Sequence, residues 1–120
     1  MKGLIITTRN TMRIAGFDRP AYKSVGKAGD GYIEIVHPRR LEFPYCMIVN
    51  EEGLLRGLPL NPYGSYLYGT ETHENPIVGD IVILKEGFVS GEPDLVGLSD
   101  EECSTFADQI SAWSGGRIGM

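Results

Sequence analysis

The chain has few residues of the kinds that cross-link a protein or bind metals. Two cysteines and two histidines occur in 120 residues, with no CxxC, HExxH or other cluster at ligand spacing. Cys46 and Cys103 fall in a predicted strand and a predicted helix, where a small buried thiol is the ordinary role and a disulfide the rarer one. We therefore expect no structural metal.

Long apolar runs and an excess of basic charge are also missing. No segment approaches the roughly 18 to 20 apolar residues of a membrane span, and the apolar part of residues 1–9 is too short for a signal peptide. The 11 basic and 16 acidic side chains leave a net charge of −5. Because nucleic-acid affinity comes largely from Lys and Arg, this balance argues against direct nucleic-acid binding. We predict a cytoplasmic protein without membrane contact.

The composition is otherwise that of a globular protein. Hydrophobic residues make up 42% of the chain and charged residues 22%, so enough apolar surface is available for a core. Sixteen glycines and seven prolines predict many turns and short elements. We expect one domain over residues 1–114 and a flexible tail over residues 115–120.

Five segments have strand-like patterns: residues 3–8, 12–14, 32–37, 45–50 and 77–84. Residues 32–37 alternate between apolar and other side chains, which is typical of a half-buried strand. The apolar run within residues 45–50 does not alternate and predicts a strand covered on both faces. Between residues 87 and 97 we expect a loop region, in which the apolar pairs 88–89 and 95–96 are candidates to contact each other.

The strongest helix signal lies near the end of the chain. Ser99 and Glu102 have the spacing of a capping box, Leu98 is placed to pack on Cys103, and the apolar spacing continues to Trp113. A second helix is predicted after residue 18, and a single helical turn after Asn61. We predict an α+β fold, with a small mixed or antiparallel sheet of four to six short strands against two helices. The C-terminal helix is expected to cover one face.

Candidates for chemistry are few. Arg39 and Arg40 follow His37 and suit an anion or a nucleotide phosphate, although a solvated loop has the same composition. Tyr63 opens a tyrosine-rich segment that suits base stacking or, equally, the lid of a core. With no phosphate loop or GxSxG motif, we expect no cofactor and favour a non-enzymatic function. An enzyme would need a closed pocket that holds His37 or His73 near a carboxylate.

The order of segments is similar to that of a known family. Asn-Glu-Glu-Gly at residues 50–53 and Gly-Leu-Pro-x-Asn at residues 57–61 are its most specific parts. The chain resembles the domain-of-unknown-function family 3846, small proteins of phages, mobile elements and their bacterial hosts, over roughly residues 20 to 111. The resemblance implies an accessory protein and supplies no catalytic residues. The matching segments are residues 31–36, 48–55, 57–61, 77–79 and 98–102.

Two hypotheses of different classes follow. In the first, the protein is an anti-defence or other accessory protein that binds or sequesters a small nucleotide-like ligand, as a monomer or a homo-oligomer. Its predicted ligand-binding residues are Arg39, Arg40, Asn50, Arg56, Asn61 and Tyr63. We expect Asn61 and Tyr63 on an accessible rim beside the middle strands. In the second, it is a module that docks on a host protein through the strand edge at residues 32–36 or through the tyrosine-rich segment.

Overall fold

The computed structural model describes residues 1–9, 11–17, 33–53, 56–69 and 76–113. Within them lie six strands and two helices, so the predicted α+β class is confirmed. In chain order the elements are β1 (Lys2–Ile6), β2 (Met12–Gly16), β3 (Ile33–Val36), β4 (Tyr45–Asn50), α1 (Pro62–Tyr68), β5 (Ile81–Val89), β6 (Glu92–Val96) and α2 (Asp100–Trp113). The helix predicted after residue 18 and the tail at 115–120 lie outside the described residues.

All six strands belong to one sheet, and every described pairing is antiparallel. The order is β2-β1-β5-β4-β3, and β6 pairs with the second half of β5. The N–H of Leu98 donates to the carbonyl of Lys2 at 2.7 Å, so β6 follows β1 end to end along the same side of β5. The predicted middle strands, β3 and β4, are therefore neighbours at one side of the sheet.

The central strand β5 is shifted from its predicted position. The prediction covered residues 77–84, whereas the strand is Ile81–Val89. Gly79 explains the late start: its φ is 78°, and a Cβ there would lie 2.9 Å from Cδ1 of Leu58. Only glycine readily combines this backbone conformation with so close a neighbour. The chain therefore reaches β5 through a turn, and Val78 forms only an isolated bridge with Leu60.

The prediction of a loop between residues 87 and 97 is wrong. A tight hairpin occupies this region, and its two turn residues, Ser90 and Gly91, both have positive φ, as a type I′ turn requires. The register pairs Phe88 with Pro93 rather than with the apolar pair 95–96. Pro93 and the charged residues beside it hid the strand, because proline fits a sheet only at positions such as an edge strand.

The sheet buries apolar side chains on both faces. One face, called the helix face, packs against α1 and α2, and the opposite one is called the far face. All four residues 46–49 of β4 are buried, so the prediction of a strand covered on both faces is confirmed. The core on the helix face includes Leu4, Ile6, Met47, Ile81 and Ile83 of the sheet, together with Cys103, Phe106 and Ile110 of α2. The far face includes Ile5, Phe17, Cys46, Ile48, Val82, Leu84 and Leu95.

Helix α2 begins as predicted. Ser99 accepts a hydrogen bond from the N–H of Glu102 at 3.1 Å, and Glu102 accepts one from the N–H of Ser99 at 2.9 Å. These two bonds complete the capping box. The helix buries Cys103, Phe106, Ala107 and Ile110, which confirms that it covers one face of the sheet.

Helix α1 is longer than the single turn predicted. It spans seven residues, with Asn61 as its N-cap, Pro62 in the first turn and Gly69 in the left-handed conformation at its end. Proline is well suited to the first turn and glycine to the end of a helix. Among the residues that the structure describes, neither helix is long and apolar enough to cross a bilayer.

Candidate functional site

Asn61 is the polar centre of the core. Its exposed fraction is 0%, and its amide group donates to the carbonyls of Ile6 at 3.0 Å and Gly79 at 2.9 Å. Its Oδ1 accepts from the N–H of Gly64 at 2.9 Å. The prediction that Asn61 lies on an accessible rim is therefore wrong, because these bonds hold it inside the fold. Its predicted binding role stays a prediction.

Tyr63 is buried beside two other rings. Its ring centroid lies 5.0 Å from that of Trp113 and 5.9 Å from that of Tyr66, and burial raises the pKa of its hydroxyl to about 12. The prediction that Tyr63 lies on an accessible rim is wrong as well. Tyr66 and Trp113, whose centroids are 5.3 Å apart, are both partly exposed above it. The three rings form one cluster, called the aromatic cluster, which joins α1 to the end of α2.

Arg40 binds the end of α1. Its guanidinium donates to the carbonyl of Tyr66 at 2.7 Å and lies 4.7 Å from the centroid of that residue's ring. Its backbone N–H donates to the carbonyl of Leu67 at 3.0 Å. A cation at the C-terminus of a helix satisfies terminal carbonyls and complements the helix dipole. Arg40 therefore combines a structural role with a place on the exposed side of the aromatic cluster, and the exposed Arg39 precedes it.

Asn50 and Arg56 lie near the turn after β4. Oδ1 of Asn50 accepts from the N–H of Glu52 at 2.8 Å, which forms the turn predicted at residues 50–53. Asn50 also lines a small cavity of about 190 Å³ together with Glu34 and Glu51. Two carboxylates there favour a cationic group over a phosphate. Arg56 is exposed, and its backbone N–H donates to the carbonyl of Glu52.

A larger concavity lies on the far face, where residues of β3, β5 and β6 meet the segment before β4. This groove has a volume of about 800 Å³ and a mainly apolar lining. Phe43 is 81% exposed and Phe88 is 75% exposed, the highest values among the large apolar side chains of the described residues. The groove is lined by Ile35, His37, Phe43, Pro44, Glu86, Gly87, Phe88, Pro93, Asp94 and Leu95.

Among the described residues that line this groove, the ionisable side chains are one histidine and two carboxylates. Nε2 of His37 lies 2.5 Å from Oε1 of Glu86, and Oδ1 of Asp94 accepts from the N–H of Leu95 at 2.7 Å. The pairing of His37 with a carboxylate is one part of what an enzyme would need. The groove is open and His37 is largely exposed, so the groove is not the closed pocket that an enzyme would need. Within the described residues no group of His, Cys, Asp or Glu is placed to bind a metal ion.

Comparison with known families shows which family the chain belongs to. The family model for the domain of unknown function DUF3846 matches residues 1–111. The chain belongs to the DUF3846 family. The match begins at β1, further towards the N-terminus than the resemblance noted in the sequence, and it ends within α2. No curated protein and no solved structure is significantly similar to the chain.

The groove of this DUF3846 protein was not predicted from the sequence. Phe43 stands beside a proline, and Phe88 lies in the segment predicted to be a loop. Large aromatic residues in segments without a clear core-facing pattern are a signal for an exposed binding surface. Glu86 gave no signal, because it meets His37 only when β3 pairs with β4 and β4 pairs with β5.

Proposed function

We propose that this DUF3846 protein is a non-enzymatic binding protein whose groove receives a segment of a partner protein. The segment carries an apolar side chain next to a lysine or arginine. The observation that carries this proposal is the exposure of Phe43 and Phe88 in the lining of one groove. It develops the hypothesis of a protein-interaction module and moves the docking surface to the groove.

The apolar part of the proposal rests on the two phenylalanines. Exposed aromatic side chains around a concave surface are typical of the anchor positions of protein interfaces. Ile35 and Leu95 extend the apolar lining of the groove. A partner side chain inserted here would bury aromatic surface that is otherwise in contact with water, which stabilises the complex.

The charge of the groove selects the partner. Glu86 and Asp94 are acidic, and among the described residues of the lining His37 is the only basic side chain. A phosphate would be repelled by these carboxylates, whereas a lysine or arginine beside the apolar anchor would be attracted. The net charge of −5 acts in the same direction during the approach of a cationic partner.

A displayed library of random peptides tests this proposal. Selection against the wild-type protein should enrich peptides that combine an aromatic or aliphatic residue with a basic one, and Phe88→Ser should weaken their binding at least about tenfold. Leu60→Ser is the matched control, since Leu60, like Phe88, is an exposed large apolar residue but lies outside the groove. Peptides that bind Phe88→Ser and the wild type equally would overturn the proposal.

A second candidate function is the capture of a nucleotide-like ligand, including the anti-defence role implied by phages and mobile elements. The aromatic cluster favours it, because Tyr66 and Trp113 present exposed ring surface beside Arg40. A base stacked on these rings would bring its phosphates towards Arg39 and Arg40. Asn50, Arg56, Asn61 and Tyr63 stay predicted contributors to this site.

Calorimetry against a panel of cyclic and linear nucleotides tests the second candidate. Binding should be abolished by Tyr66→Ala and weakened by Arg39→Ala, whereas Phe88→Ser should leave it unchanged. Protein at roughly tens of micromolar detects dissociation constants in that range. An absence of heat with every nucleotide would eliminate this candidate and leave the groove proposal standing.

A further inference from the structure

Strand β3 forms an edge of the sheet. In the strand order β2-β1-β5-β4-β3, the described strands pair with β3 only on its β4 side. Ile35, in the middle of the strand, is 43% exposed. Three of the four residues of β3 are β-branched and apolar, a composition that favours strand pairing. An exposed edge of this kind is a template for another strand.

We propose that two copies of this protein associate by antiparallel pairing of β3 with β3, with Ile35 on the two-fold axis. The occupant of the edge is thus a second copy of the same chain. This proposal rests on the backbone edge of β3 and not on the partner proposed for the groove, although Ile35 also lines that groove. It assigns to the β3 edge the homo-oligomer that the sequence analysis left open.

Geometry restricts the registers available to such a dimer. A two-fold axis perpendicular to the sheet keeps the helix face of one copy on the same side as the helix face of the other. Because side chains alternate between faces, each residue must then pair with one that points to the same face. The axis must therefore pass midway between the two copies of one residue, called the residue on the axis, which faces its own copy.

Charge and the missing N–H of Pro38 then favour one register among those centred on residues 34, 35 and 36. With Glu34 on the axis, two carboxylates would face each other directly, which is destabilising. With Val36 on the axis, Glu34 would face Pro38, which has no N–H for the ladder. With Ile35 on the axis, the two isoleucines face each other and Glu34 faces Val36, so the strand is complementary to itself in this register.

The opposite edge of the sheet is less suited to this pairing. Strand β2 contains alanine, glycine and arginine, and only Ile14 is β-branched. Side chains that pack poorly across a strand pair add little to its stability. Ile14 is 41% exposed, nearly the same as Ile35, so it provides a matched position for a control substitution.

Sedimentation equilibrium and native mass spectrometry test the dimer. The wild type should be dimeric, and Ile35→Lys should raise the dimer dissociation constant at least about tenfold by placing two cations opposite each other. Ile14→Lys should leave the constant unchanged, and so should Phe88→Ser. A monomeric wild type, or a dimer disrupted by Ile14→Lys but not by Ile35→Lys, would refute the proposal.

Three further variants keep the test independent of folding. An equal mixture of Ile35→Lys and Ile35→Glu should form heterodimers, because opposite charges then meet at the axis. Ile35→Cys should form an intermolecular disulfide under mild oxidation and Glu34→Cys should not; the native Cys46 and Cys103 are fully buried and do not compete. Equal cross-linking at both positions would contradict the register.

Discussion

The hydroxyl of Tyr45 donates a hydrogen bond of 2.5 Å to the carboxylate of Glu102, which joins the start of β4 to the first turn of α2. The other carboxylate oxygen of Glu102 accepts a bond from Lys85 at 2.8 Å and one from the N–H of Ser99 at 2.9 Å. One side chain thus completes the capping box and connects the helix to two strands. The attachment of α2 to the sheet therefore depends on the charge of Glu102.

Stability should fall in acid because of Glu102. Burial on its own raises the pKa of this carboxyl, but hydrogen bonds from Lys85, Tyr45 and Ser99 outweigh it and lower the pKa to about 2, from an ordinary 4.5. A folded-state pKa below the unfolded one contributes stability that is present above pH 4.5 and is lost as the pH falls towards 2. We expect a loss of roughly 2 kcal/mol, which urea unfolding at a series of pH values measures.

Glu102→Gln provides the matched variant for this test. Glutamine retains a capping-box acceptor but cannot form the ion pair with Lys85, so the variant should lack this part of the pH dependence. Glu101→Gln, in the same turn and exposed, serves as the control. An unchanged pH profile in Glu102→Gln would mean that other carboxylates dominate acid unfolding.

Replacing Asn61 should destabilise the fold. Asn61→Ala leaves the carbonyls of Ile6 and Gly79 and the N–H of Gly64 without this partner inside the core. We expect a loss of about 3 kcal/mol in the free energy of unfolding, measured by urea denaturation. Asn61→Asp should be no better, since an ionised carboxylate cannot donate to two carbonyls. A loss below about 1 kcal/mol would contradict the structural role of Asn61.

Gly79 should tolerate substitution less well than another glycine with positive φ. Gly79→Ala places a Cβ 2.9 Å from Leu58, whereas at Gly91 nothing lies within 4 Å. Both substitutions carry the backbone strain of a left-handed residue, roughly 1 kcal/mol, and only Gly79→Ala adds the steric contact. Thermal unfolding should therefore give the larger decrease in melting temperature for Gly79→Ala. Equal decreases would assign the whole effect to the backbone.

The fluorescence of Trp113 should report on the aromatic cluster. This is the only tryptophan in the chain, and it lies 5.3 Å from Tyr66 and 5.0 Å from Tyr63 between ring centroids. Tyr66→Ala removes one neighbouring ring and exposes Trp113 further, so its emission should move to longer wavelength. Phe88→Ala, in the groove, is the control and should leave the emission unchanged. A shift in the control alone would show that the ring contacts are assigned wrongly.

Local signals in the sequence were sufficient for some elements. The capping box at Ser99 and Glu102 acts within one helical turn, and β4 has a continuous apolar run, so α2 and β4 lie where they were predicted. The hairpin of β5 and β6 was missed because Pro93 and its charged neighbours resemble a loop when partner strands are unknown. Gly79 falls inside the segment predicted as a strand, but it lies in a bend before β5, where a Cβ would be 2.9 Å from Cδ1 of Leu58.

The candidate sites were less predictable than the fold. Arg40 and Tyr63 were recognised as candidates, but nothing local indicates that Arg40 binds the end of α1 or that Tyr63 is buried under Tyr66. The groove depends on strand register, since Pro44, Glu86 and Leu95 come from three different strands or their ends. Side chains that are distant in the chain meet only after the sheet forms.

The sequence by itself determined the α+β class, the main strands, the C-terminal helix and the family of this protein, because periodicity, capping and short motifs act over a few neighbouring residues. Tertiary structure alone decided which polar groups are buried and which apolar groups are exposed. Asn61 became a core residue and Phe88 a surface residue, since burial depends on what packs against a side chain from other parts of the chain.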